Sequence, residues 1–370
     1  MKYIGNKTRL LGFIDEVMFK EKLPKKGTFI DIFTGTTSVA EHFKKKNYKI
    51  ISNDFMTYSY VYQRAFIKSN DYPKFSNLIK KEKALKKIDS LFENPDDNLI
   101  CILNFLNSRK GKKGYFYNNF APGGKYKRKY FSDINAQKID EVRDIIQQWF
   151  EKKWINIDEY YFLVAIVIES TDFVANIAGT YGAHLKIWRS MALKDINFKK
   201  PTLTKNKFRN EVHQKDSNDL IKKIKGDILY IDPPYNARQY APNFHVLETL
   251  ACWDKIKLNG KTGLRPYEHQ KSDYCLKNKV HNVFENLIKN SKVKFILLSY
   301  NNEGIMDPKI ITKILQEKGK LKKFTKKYRR FRTERDHEKR KYKVKDDIVE
   351  EKLYLVKIYG HSVARCPRIN

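Results

Sequence analysis

The sequence predicts a doubly wound α/β fold, an open and mostly parallel sheet flanked by helices, carrying a largely helical insert. Three observations predict it. Residues 28–40 read as strand, glycine turn and helix, with Asp31 late in the strand and Gly35 in the turn. The next apolar run, residues 48–51, stops at Asn53-Asp54. A third run, residues 227–231, is short and apolar, as a strand buried on both faces would be, and halts at Asp232-Pro233-Pro234-Tyr235. Each of these acidic residues falls at a strand's carboxyl end, where open α/β sheets bind ligands.

Taken in order, Leu10, Leu11, Ile14, Val17 and Met18 recur at helical spacing. A helix is expected from about Lys7, with Asn6 as its cap and the Gly5-Asn6 amides open to a carboxylate. An ordinary capped surface helix fits the same residues. Thr36 or Thr37 is expected to cap the helix after Gly35. Asp54, roughly 20 residues beyond that turn, is placed to accept hydrogen bonds from ribose hydroxyls. A single glycine is not the full dinucleotide fingerprint, so an adenosine-containing cofactor rests on the Gly35 to Asp54 spacing. Residues 56–92 read as two Lys-rich amphipathic helices.

Residues 107–130 interleave Arg109, Lys112, Lys113, Lys125, Lys127 and Arg128 with glycines and rings such as Tyr115. That mixture suits phosphate neutralisation plus contact with bases, though a solvated loop is the plain alternative. Ser132 or Asp133 should cap a helix with Ile139, Val142, Ile145, Ile146 and Trp149 on one face. A buried helix is expected over 160–178, ending near Gly179. A short strand at 211–214 leads to Asp216, which either faces an adenine or caps the helix after it. Arg238 follows the 232–235 turn, ahead of an apolar helix through Val246, Leu247, Leu250 and Trp253. Residues 259–279 are expected to loop over the site. Strands at 293–299 and 352–359, a helix near 308–315 and a basic segment at 328–336 complete the chain.

The 370 residues are 41% apolar and 14% aromatic, enough for a sizeable core and two domains. The formal net charge is +33 and the sequence pI about 9.7, which suits a polyanionic partner. Cys101, Cys252, Cys275 and Cys366 have no C-x-x-C spacing and no histidines at zinc-ligand distances. A reduced compartment and no metal are expected. Residues 160–168, the longest apolar run, fall short of the roughly 20 residues of a membrane span. With charged residues from the start in place of a signal peptide, a soluble cytoplasmic protein is expected.

The turn at 232–235 carries the chemistry. Two prolines remove two backbone donors and fix φ twice, so neither strand nor helix continues. The Asp232 carboxylate and the Pro233 carbonyl can each accept one hydrogen of an exocyclic amine, which localises a lone pair otherwise delocalised into the ring. The Tyr235 ring offers a stacking face for a base taken out of its duplex. An ordinary Pro-Pro turn with a solvated aspartate is the plain alternative.

With these residues in view, the chain resembles the class-alpha (Dam-type and FokI-methylase-like) N6-adenine-specific DNA methyltransferases over nearly its whole length. Tyr3-Ile-Gly-Asn-Lys7 looks like motif X, Asp31-Ile-Phe-Thr-Gly35 like motif I, Asp54 like motif II, Asp216 like motif III and Asp232-Pro-Pro-Tyr235 like motif IV. Ser299-Tyr-Asn is similar to a later motif. The resemblance implies that Tyr3, Lys7, Asp31, Gly35, Asp54, Asp216 and Asp232 surround S-adenosyl-L-methionine, and that Asp232, Pro233 and Tyr235 hold a flipped adenine. Many relatives carry a second glycine where Thr37 stands.

The expectation is therefore a Rossmann-like S-adenosylmethionine-dependent methyltransferase domain built from residues 1–70 and 206–360. A helical target-recognition insert would span 71–205, with a tail at 361–370. Its partner would be double-stranded DNA and its state a monomer, either solitary or with a cognate restriction endonuclease beside it. The alternatives are methyl transfer to an amino group of RNA or protein, or a non-catalytic DNA-binding protein.

Overall fold

The computed structural model describes residues 7–85, 95–329 and 348–359. Among them, seven strands form one sheet: β1 (Thr28–Asp31), β2 (Lys49–Asn53), β3 (Glu211–His213), β4 (Ile228–Ile231), β5 (Phe295–Asn301), β6 (Gly319–Arg329) and β7 (Ile348–Ile358). Their spatial order is β3-β2-β1-β4-β5-β7-β6. Pairings from β3 through β5 are parallel, whereas β7 runs antiparallel to both β5 and β6. Phe29, Ile30 and Asp31 lie opposite Ile228, Leu229 and Tyr230. The strand order reverses between β1 and β4, so the crevice lies outside their carboxyl ends.

Side-chain alternation along the strands feeds two cores. Ile30, Ile51, Leu229, Ile231, Ile296 and Leu298 pack with the helices Val280–Asn290 and Pro308–Lys318. Phe29, Ile50, Tyr230 and Leu297 face the helices Leu11–Lys20 and Ser38–Lys45. With both faces covered, β4 has to be an unbroken apolar run. A third cluster forms a helical body around Thr57–Tyr62, Asp133–Glu151 and Ile157–Phe173. This cluster starts at Met56 and takes in Tyr240–Cys252, reaching beyond the 71–205 span expected for the insert.

Several elements differ in detail from expectation. The first helix starts as a 3-10 turn at Lys7–Leu10; Tyr3, Gly5 and Asn6 lie outside the described residues. Thr37 is the residue before the helix Ser38–Lys45, but it makes no side-chain cap, because its hydroxyl engages Glu41. Thr57–Tyr62 runs into a π-helical turn, Gln63–Lys68, and a separate short helix, Ser76–Lys81, follows. Ser132 caps Asp133–Glu151 by accepting from Asn135 N–H. The buried helix spans Ile157–Phe173, shifted toward the N-terminus by the reciprocal capping box of Asn156 and Glu159. β6 was not anticipated at all. It forms one edge of the sheet, and its lysines both disguise it as a solvated segment and guard that edge against pairing.

Candidate active site

The crevice is lined by Lys7, Asp31, Gly35, Asn53, Asp54, Asp216, Tyr230 and Asp232, with Phe33, Tyr240 and Tyr274 among its aromatic walls. Asp31 closes β1. It is buried, and its Oδ1 has no hydrogen-bond partner among the described residues. Burial, reinforced by the nearby Asp232 and Asp54 carboxylates, holds its pKa well above the ordinary carboxylate range. Asp54 fixes the glycine turn: Gly35 N–H donates to its Oδ2 at 2.7 Å and Met56 N–H to its Oδ1 at 2.9 Å. Gly35 has φ +55°, which glycine adopts at no steric cost. Asn53 ties the strand ends together, donating to Ile32 and Lys215 carbonyls and accepting from Lys215 N–H. Asp216 caps Ser217–Ile221, its Oδ1 accepting from Asn218 N–H at 2.8 Å, and also borders the crevice.

Asp232 follows β4 and meets the Lys7 ammonium at 3.2 Å. Burial, added to by the Glu351 charge, pushes its carboxyl up to about 7 against the opposing pull of Lys7. Lys7 also lies 2.7 Å from Glu351 Oε1. Burial acts to lower the Lys7 pKa, but Asp232 and Glu351 outweigh it and hold it above its usual value. Pro233 and Tyr235 stand beside the crevice, not in its lining. The Tyr235 ring is edge-on to Tyr300, with centroids 6.4 Å apart, and lies 5.8 Å from Lys7 Nζ. Its carbonyl accepts from Ile305 N–H at 2.9 Å.

Sequence reasoning missed a second set of polar residues here. Glu248, buried on Tyr240–Cys252, accepts from Thr57 N–H and Tyr58 N–H at 3.0 Å each, and from the Gln270 side-chain amide at 2.5 Å. Gln239 and Ser272 bond reciprocally, at 3.0 and 2.8 Å. The 259–279 segment therefore borders the crevice as expected, but through Gln270, Ser272 and Tyr274; Arg265 instead pairs with Asp254. None of these contacts has a local sequence signature.

The basic residues expected on DNA fall into two groups. Lys113, Lys125, Lys127 and Arg238 are exposed. Arg109 and Lys112 are exposed too, but lie near Glu141, at 3.7 and 3.6 Å, and Lys112 also meets Asp144 at 3.0 Å. Arg128 is 4% exposed, and its guanidinium donates to the carbonyls of Lys261, Asn119 and Gly260. That side chain pins the 260s loop and has no face left for a phosphate. Tyr115 donates to the Ile256 carbonyl at 2.6 Å. Phe116, Tyr117, Phe120 and Tyr130 are core residues, leaving Tyr126 as the exposed ring of the stretch. Burying rings of that size contributes strongly to a core.

A doubly wound sheet whose switch-point crevice gathers strand-end carboxylates, the last in a D-P-P-Y turn, has the architecture of α/β proteins that bind ligands outside the carboxyl ends of their strands. The family model of the D12 class N6 adenine-specific DNA methyltransferases matches residues 3–314, and the chain belongs to that family. It is 39% identical over 319 residues to the type II methyltransferase M.FokI of Planomicrobium okeanokoites, covering 86% of this chain and 47% of that protein. It is 37% identical over 338 residues to the type II methyltransferase M.NlaIII of Neisseria lactamica, covering 90% of this chain and 93% of the relative. Modification methylase StsI of Streptococcus sanguinis is 37% identical over 317 residues, 86% of this chain and 46% of its own length. The chain thus spans about half of M.FokI and StsI and nearly all of M.NlaIII. The seven-stranded sheet agrees with the methyltransferase fold of this family.

Proposed function

We propose that this chain transfers a methyl group from S-adenosyl-L-methionine to the exocyclic N6 of an adenine flipped out of double-stranded DNA, as the modification activity of a restriction-modification system. We place it in the cytoplasm as a monomer, with a cognate endonuclease as its counterpart. Among the described residues no helix is long and apolar enough to cross a membrane. The observation that carries the reading is the pairing of Asp232 with Lys7 in a crevice also lined by buried Asp31, whose Oδ1 has no partner among the described residues.

The residues fit the cofactor. A buried carboxyl with an unmatched oxygen can accept from a cationic donor, and the methionine ammonium would supply one. Lys7, Asp31, Gly35, Asp54 and Asp216 would hold the cofactor, Asp54 taking the ribose hydroxyls. When bound, S-adenosylmethionine supplies an electrophilic methyl group on a sulfonium. Asp232 and the Pro233 carbonyl accept the two amine hydrogens of the adenine, which concentrates the lone pair on nitrogen. Tyr235 stacks on the base, and the exposed Lys113, Lys125, Lys127 and Arg238 neutralise phosphates.

The test is transfer of labelled methyl to mixed genomic DNA, with RNA and protein acceptors in parallel. The expected product is N6-methyladenine within one recurrent motif. Label on RNA or protein alone would replace DNA as the acceptor. Absence of cofactor binding by calorimetry would leave a non-catalytic DNA-binding protein.

A further inference from the structure

Glu351 belongs to none of the motifs that mark the crevice, yet it joins the charge pair at its centre. It stands on β7 and is 1% exposed. Its Oε1 lies 2.7 Å from Lys7 Nζ and accepts the Ser299 hydroxyl at 2.5 Å. Its Oε2 has no partner among the described residues. Ser299 is on β5, where it opposes Leu353, so two neighbouring strands hold the carboxylate. A buried ion pair needs one carboxylate per ammonium, and burying another adds a desolvation penalty with no cation of its own to offset it. Here two carboxylates share one ammonium, which is hard to explain as stabilisation alone.

We propose that Glu351 is a positioning residue: it holds the Lys7 ammonium between two carboxylates, so that Asp232 receives only part of that charge and remains a strong acceptor for the amine hydrogens. The proposal deepens, and rests on, the function assigned to Asp232 above. The groups facing Asp232 are Lys7 from the first turn, Tyr230 from β4, Asp31 from β1 and Glu351 from β7. Lys7 is the cation of that set, so removing the Glu351 charge hands Lys7 wholly to Asp232. An Asp232 fully paired in that way is a weaker acceptor, since acceptor strength falls with basicity.

Glu351→Gln removes the charge and keeps the volume. The expected result is an acid limb of the single-turnover methyl-transfer rate displaced downward by about one pH unit or more, with a lower plateau and unchanged affinity for DNA. Glu351→Asp, which keeps the charge, should leave the limb in place. A purely structural role would lower the rate without moving the limb, and that result would overturn the proposal. A readout independent of turnover is the infrared carbonyl band of protonated Asp232, identified by its loss in Asp232→Asn. It should titrate at lower pH in Glu351→Gln, and a band that does not move overturns the positioning role. If Glu351→Gln does not fold, Ser299→Ala serves instead. Glu351, having lost a donor, then draws more of the Lys7 charge, and the Asp232 band should move to higher pH; no movement again overturns the proposal. Wild-type protein that methylates nothing would overturn the proposed function, while the band would still decide what Glu351 does to Asp232.

Discussion

At the scale of single residues, Asp232 sets activity and stability against each other. Its amide variant cannot accept hydrogens as a carboxylate does, so Asp232→Asn should lower single-turnover methyl transfer by roughly 10²–10⁴-fold while DNA binding persists. Its folded pKa, pushed up to about 7 by burial, lies above the unfolded carboxyl value near 4. The folded state therefore binds an extra proton between those limits, and stability declines as pH rises through that window. Asp232→Asn should melt at a higher temperature than wild type at pH 8, and the difference should shrink at pH 5. Thr37 shows a smaller balance. It is buried and left-handed at φ +66°, a conformation in which a β-branched residue is strained by about 1–2 kcal/mol. This is why a glycine suits the position. Thr37→Gly releases that strain but loses the bond to Glu41, about 1 kcal/mol, and gives the unfolded chain more freedom. The terms nearly cancel, so chemical denaturation should show a change within about 1 kcal/mol.

At the scale of elements, Glu248 fastens three pieces: the start of Thr57–Tyr62, its own helix and the 268–275 segment. Glu248→Ala leaves two backbone donors and an amide without acceptors, and should cost about 1–3 kcal/mol in denaturant unfolding. It should also weaken cofactor binding, because Asp54 and Met56 lie directly before that helix. Glu248→Gln, which keeps one acceptor oxygen, should lose less. The sequence disclosed elements well where the signal was local. β1, β2, β4 and β5 were legible as apolar runs, and Asp31, Asp54, Asp216 and Asp232 as carboxylates at strand ends. Glu248, Gln270 and Glu351 were not, because their partners stand 190, 22 and 344 positions away. β6 was hidden by its own edge chemistry. The aromatic stretch at 107–130 misled in the opposite sense, since ring and charge composition alone cannot separate a core from a contact surface.

At the scale of the whole molecule, the +33 charge should govern the approach to the DNA partner proposed above. The logarithm of the affinity should fall linearly with the logarithm of salt concentration. Removing Lys125 or Lys127 should reduce that slope by about 1 each. Arg128→Ala should leave the slope unchanged and lower the melting temperature, since it frees the Gly260 and Lys261 carbonyls of the 260s loop from the guanidinium that ties them to Asn119. β7 has a consequence for how the molecule comes into being. It threads between β5 and β6, and it brings Glu351 to a lysine at position 7. Chains are synthesised from the amino end at about 5–20 residues per second, and early segments begin folding first. Lys7 and Asp232 are thus both synthesised before Glu351, the third member of their charge cluster. A chain ending short of residue 351 would keep the motifs around the crevice and lack the carboxylate that shares the Lys7 ammonium with Asp232.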